Sequence, residues 1–168
     1  MSTKSTLFRH FKSKEQLLRA VLQRGLAAWV AILDEDSSWK ENLRESMERY
    51  ARHYYFHLGK NKDFSGAFLA EDHLWPKSMQ VMIADVIRPV RERLVSILAD
   101  AQKAGVIRSD LNIECALDAF KYALYARMLL QGAYLPRNYS NDAYISTVVE
   151  IFVRGMEAPN NGNFRTVI

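Results

Sequence analysis

The stretch Thr3-Lys4-Ser5-Thr6-Leu7-Phe8-Arg9-His10-Phe11-Lys12-Ser13-Lys14-Glu15-Gln16-Leu17-Leu18 decides how this chain of 168 residues is read. Its first half predicts a short helix from about Thr3 to His10, with Thr3 as the candidate N-cap. Leu7 and Phe11 stand four residues apart, so they share a face and would turn inward to anchor that helix. Ser13 then opens a second helix, and Gln16 three residues later completes a capping-box pattern. Helical spacing continues through Leu18, Leu22, Trp29 and Leu33 as far as Asp34.

Outward from this start the same period recurs. The polar cluster Asp34–Ser38 is a break, after which Trp39, Leu43, Met47, Tyr50, Tyr54 and Leu58 mark one face of a helix from Trp39 to Leu58, with Gly59 as its stop. Phe64 to His73 reads as a shorter helix that ends before Pro76. Lys77 to Lys103 is long, with Met79, Met82, Ile83, Val86, Val90, Leu94, Ile97 and Ala101 on the inner face, and Pro89 inside it predicts a kink or break near Arg88. Gly105 ends that segment. Asn112 caps the next helix, which is expected to run to about Tyr134, and the last spans about Asn141 to Met156. The expectation is an all-α fold of seven helical segments, with a frayed tail over 159–168.

Composition supports this. Half the residues are hydrophobic and a quarter charged, while 7 Gly and 4 Pro are too few for a barrel or sandwich of many short strands. Cys115 is the single cysteine, which excludes an intrachain disulfide framework and fits a reducing cytoplasm. No secretory h-region or membrane span is visible; the most apolar stretch, Ala123 to Leu135, is interrupted by Arg127 and Gln131. The net charge of +4 is uneven, with +5 carried by residues 1–24 and −1 by the remainder. A basic tip on a near-neutral body suggests a polyanion partner at one end; a solvated basic helix end is the plainer alternative.

The opening stretch resembles the signature of the TetR family of transcription regulators, Thr-Leu-Tyr-x-His/Tyr-Phe-x-Ser/Asn-Lys-Glu-x-Leu-Leu, and the match is dense across Thr3–Leu18. Two weaker patterns agree with it in order and spacing. Ala104-Gly105-Val106-Ile107-Arg108-Ser109-Asp110-Leu111-Asn112 looks like the family's entry into its first dimerisation helix, and Glu150-Ile151-Phe152-Val153-Arg154-Gly155-Met156 like the end of the second. The resemblance implies a TetR-like helical bundle with a partial helix-turn-helix at its N-terminus and C-terminal dimerisation helices. Over residues 1–34 it implies a remnant of the DNA-binding domain whose connecting helix continues into the body. Residues 35–158 would form the ligand-binding and dimerisation domain.

It also implies site residues. Thr3, Lys4 and Thr6 match the start of the recognition helix, where base edges and phosphates are reached; His10 and Lys14 match backbone-contacting or structural positions. Lys14 stands where helix N–H groups already favour a phosphate. Phe8 replaces a Tyr that commonly bonds a phosphate in the family, so that contact is absent. The family places two further helices before the motif, whereas here Met1 stands in the turn. Leu7 and Phe11 then lack packing partners worth about 1.5–3 kcal/mol each, and the chain as written is expected to bind DNA weakly or not at all.

A ligand cavity is expected among the middle helices, lined by Tyr50, Tyr54, Phe68, Met82, Val86, Tyr122 and Tyr125, because aromatic and Met side chains shape apolar walls while phenol hydroxyls orient a ligand. Plain core packing is the alternative for each. The last two helices are apolar on more than one side and must bury both faces, which predicts a homodimer through Leu117, Lys121, Leu124, Met128, Val148, Ile151 and Phe152; central helices of a larger monomeric bundle are the alternative. His53 and His57 have the i, i+4 spacing of metal ligands, but Arg49 one turn earlier would repel a cation, and no metal or cofactor is expected. No phosphate loop, nucleophile elbow or Cys–His pair is legible, so an enzyme is not expected. These readings converge on a cytoplasmic, ligand-responsive repressor whose partners are a second copy, operator DNA in the intact form and a small apolar or aromatic effector. The rivals are a headless dimeric module that binds ligand or forms inactive heterodimers, and a helical enzyme.

Overall fold

Helix signals dominate the sequence and helices dominate the result: the computed structural model describes residues 10–35, 38–60, 76–129 and 138–158, and nearly all of them are helical. Side chains are described there except at 28, 29, 32, 35, 57–60, 128 and 129. The α-helices are α1 (Lys14–Glu35), α2 (Leu43–Lys60), α3 (Lys77–Lys103), α4 (Ile113–Leu129) and α5 (Asn141–Met156), with one 3-10 turn at Ser38–Lys40. Among the described residues there is no strand, and no helix is long and apolar enough to cross a membrane. The expected short helices at Thr3–His10 and Phe64–His73 lie outside the described residues, apart from His10.

The caps explain where helices begin. At α1 the Gln16 N–H donates to Ser13 Oγ (3.2 Å), and Gln16 Oε1 accepts from the N–H of Lys12 (2.9 Å), one residue earlier than a standard capping box. Asn112 caps α4 as expected, accepting from the N–H of Cys115 (3.0 Å) and leaving that thiol exposed in the first turn. Ser140 does the same for α5 through Ala143 (3.1 Å). The second long helix differs from expectation at its start. Trp39 sits in the 3-10 turn, and α2 begins only after Asn42, whose side chain accepts from the N–H of Glu45 (3.2 Å) and donates to its carboxylate (3.0 Å). Trp39 is buried by this turn, which is why its spacing mimics a helical position.

Pro89 does not interrupt α3, which runs unbroken through Arg88. Proline is exposed there, so the carbonyl it frees one turn back faces solvent and incurs little cost. Gly105 closes α3 with φ +79, and the N–H groups of Gly105 and Val106 donate to the carbonyls of Gln102 and Ala101, both at 3.0 Å. This is the left-handed helix stop that favours glycine. The chain then pairs with the far end of α5: Arg108 N–H donates to Met156 O (2.8 Å), and Ala158 N–H to Val106 O (3.1 Å).

Two units are separable by their internal contacts. One comprises Met1–Glu35 with Asp63–Leu94, the other Asp36–Lys62 with Val95–Ile168. In the first, the buried side chains are Leu33, Met82, Val86, Val90 and Leu94, and Arg93 Nε donates to Asp34 (2.7 Å) at the surface. In the second, α2 packs on α4 and α5, and α4 packs on α5. Their seam is edged with charge. Arg44 pairs with Glu150, which also holds Arg154, while Arg52 bridges Glu48 and Asp142. These pairs are solvated and orient the helices more than they stabilise them.

Candidate ligand site in the second unit

The interior of the second unit is aromatic. The Tyr50 ring stacks on Tyr54 one turn along α2 (6.0 Å between centroids) and lies near Phe120 of α4 (6.4 Å). Trp39 meets Tyr50 edge-on (6.4 Å), and Phe152 of α5 meets Phe120 edge-on (5.2 Å). Such pairs each contribute about 0.5–1.5 kcal/mol beyond area burial. Phe120 has no exposed surface, so this chain of rings is a load of packing as well as a potential wall.

The phenols in this wall are kept neutral. Burial raises the pKa of Tyr50 and Tyr54 well above the ordinary phenol value, with the neighbouring Tyr54 adding to the shift of Tyr50, and Tyr125 and Tyr122 adding to that of Tyr54. Neutral phenols donate and accept hydrogen bonds; they do not serve here as bases or nucleophiles near neutral pH. The indole Nε1 of Trp39 is buried without a hydrogen-bond partner, an unmatched donor in the same cluster.

A second focus lies toward the C-terminal end of α4. Arg127 is only 7% exposed, its guanidinium carbon standing 5.0 Å from the centre of the Tyr139 ring and 5.9 Å from that of Tyr144. Those two rings stack on each other at 6.2 Å. The Tyr144 hydroxyl donates to the carbonyl of Ala123 (2.8 Å), which fixes α5 against α4. Burial raises the Tyr55 pKa, while the charge and hydrogen bond of Arg127 pull it the other way. Stripping water from a guanidinium costs several kcal/mol. Ring faces return about 0.5–2 kcal/mol each and the helix C-terminus about 0.3–1 kcal/mol. Neither offers a lone pair to Nε–H, and that atom is buried with no hydrogen-bond partner. Asn141 Oδ1, in the first turn of α5, is a second buried atom without one.

The sequence-predicted ligand residues separate on this geometry. Tyr50, Tyr54 and Tyr125 belong to the aromatic interior, Tyr125 being buried and acting on Tyr54. Tyr122 influences Tyr54 too but is 70% exposed, a rim residue at most. Met82 and Val86 are buried in the first unit, and Phe68 lies outside the described residues. Trp39 and Phe120 join this aromatic interior although the sequence reading did not place them among the ligand residues, and Arg127, noted there only as an interruption of an apolar stretch, is buried. Its signal was present: Arg127 is a lone charge in the most apolar stretch of the chain.

Of the expected dimer residues, Leu117, Leu124 and Val148 are buried within the chain itself, Phe152 and Lys121 are half-buried, and Ile151 is 63% exposed. The Met128 side chain lies outside the described residues. Of the expected DNA contacts, His10 and Lys14 are exposed, as are Lys12, Arg19 and Arg24 nearby in sequence; Thr3, Lys4, Thr6 and Phe8 lie outside the described residues. His53 is exposed on α2. Comparison with protein-family models, with curated proteins and with solved structures gives no match for this chain.

Proposed function

We propose that the chain is the ligand-responsive, dimerising part of a TetR-like transcription regulator, acting as a repressor that releases DNA when a small molecule enters its helical body. The observation that carries this reading is the Thr3–Leu18 signature, a basic recognition segment joined through a Ser13–Gln16 cap to α1. The aromatic interior around Tyr50, Tyr54 and Tyr125 supports it, since neutral buried phenols on apolar walls suit a small, flat effector. Exposed Ile151 and Tyr122 support a second copy as the partner that would cover them. In such a dimer, an effector that favours one helix arrangement changes the spacing of two DNA half-sites and so weakens binding.

The test is run on the product of the complete reading frame containing this chain. Sedimentation gives its oligomeric state, and fluorescence anisotropy gives its binding to DNA flanking its own gene. A dimer is expected to bind with an affinity that falls steeply between roughly 50 and 200 mM salt. A monomer that leaves such DNA free at the lower salt would overturn the reading.

A further inference from the structure

Arg127 brings a guanidinium, with its planar fork of N–H donors, into the interior of the second unit. Among the described residues no carboxylate forms an ion pair with it, and its Nε–H is buried without an acceptor. Buried charge in proteins is normally paired, so the open Nε–H and the lack of a carboxylate partner among the described residues are the informative features. Tyr139, whose ring lies 5.0 Å from the guanidinium, is 46% exposed and belongs to the non-helical residues that lead into α5.

We infer that Arg127 is the anion-recognition residue of a ligand site formed by α4, Tyr55 of α2 and the Tyr139–Tyr144 stretch, and that its ligand is a small organic carboxylate with an aromatic body. The planar fork of a guanidinium matches a carboxylate through two parallel N–H bonds, one of them from Nε. The three phenol rings around it supply the surface on which a flat apolar body stacks. A single guanidinium matches a single negative charge, and Arg52, one turn from Tyr55, is already held by Glu48 and Asp142. That balance favours a carboxylate over a phosphate. The site rests on Arg127 and does not require the chain to be a regulator.

The experiment follows the side-chain Nε–H signal of Arg127 by NMR in the full chain, during titration with benzoate, phenylacetate and 3-phenylpropionate, with benzamide and chloride as controls. At least one of the three carboxylates is expected to shift that signal saturably and to bind roughly tenfold or more tightly than benzamide. Arg127→Lys keeps the charge but loses the fork, and is expected to weaken the carboxylate about tenfold while circular dichroism and the melting temperature stay close to the parent. Should that variant not fold, the comparison of carboxylate with benzamide on the parent chain decides alone. Equal binding of carboxylate and benzamide, a shift that chloride reproduces, no saturable response to any of the three acids, or undiminished binding to a folded Arg127→Lys would each overturn the assignment.

Discussion

The two units spend their apolar surface differently. Among the described residues, the first buries only aliphatic side chains and methionine, with its ion pairs left at the surface. The second buries Trp39, Tyr50, Tyr55, Phe120 and Tyr125, and among the described residues it also holds both buried polar or charged ones, Ser46 and Arg127. Ser46 is satisfied by Ser38 (2.9 Å between hydroxyls) and approached by Arg49, so burial there is matched by hydrogen bonds. Arg127 is matched only in part: it bonds Tyr55, but its Nε–H has no acceptor. An aliphatic interior is adequate for holding helices together; an interior with aromatic walls and an unmatched donor carries chemistry that packing alone does not require. On the proposed reading, a ligand is therefore to be sought in the second unit.

The largest way to break that contrast is Phe120→Ala, which removes the ring joining Tyr50 to Phe152. A loss of about 3–5 kcal/mol in denaturant unfolding is expected. A loss near 1 kcal/mol would mean that the aromatic chain is loosely packed and that the second unit already contains space. The matching truncation in the first unit, Met82→Ala, is expected to cost about 2 kcal/mol by the same measurement, because methionine is flexible and the helix around it can close in.

Arg127→Met sharpens the contrast from the other side. If Arg127 serves a ligand and not the fold, replacing an unmatched buried charge with an apolar side chain of similar length should stabilise the free protein by about 1 kcal/mol. A destabilisation beyond about 2 kcal/mol would show instead that the ring contacts and the Tyr55 hydrogen bond make Arg127 a structural tie.

The smallest effect concerns a charge pair of the second unit that is exposed and therefore weak. Arg108 grips Asp110 through two hydrogen bonds (2.7 and 2.6 Å) and draws its carboxyl down to about 2. Because the folded value is depressed, the pair contributes above the ordinary carboxylate range, and that contribution fades as pH falls from there through about 2. Carbon-detected NMR should find the Asp110 midpoint near this value, and Arg108→Gln should return it toward the ordinary one. An unchanged midpoint in the variant would place the cause elsewhere.

Much of the fold was legible because helices announce themselves twice, by apolar period and by caps. Ser13, Asn112 and Gly105 each perform the role their residue type suggests, through contacts within a few residues. Trp39 misled because a buried 3-10 turn can place an aromatic ring where a helical position would. Pro89 does not break α3, because the penalty of proline depends on which way it faces, and the sequence does not say. The site was less legible. Tyr50 and Tyr54 share a turn of one helix, so their pairing follows from spacing. Arg127, Tyr55 and Tyr144 come from three helices, and no local period carries that meeting.

The single thiol has a practical meaning for all of this. Cys115 is exposed on the first turn of α4 and is not among the residues assigned to either aromatic focus. In air, two copies can join through it, producing a covalent pair that imitates natural assembly on a sizing column. Every measurement of self-association therefore needs a reductant. Under that reductant the liability turns into an address: one maleimide-linked spin label per chain, with no mutation, and a dipolar distance that appears only when two chains truly meet.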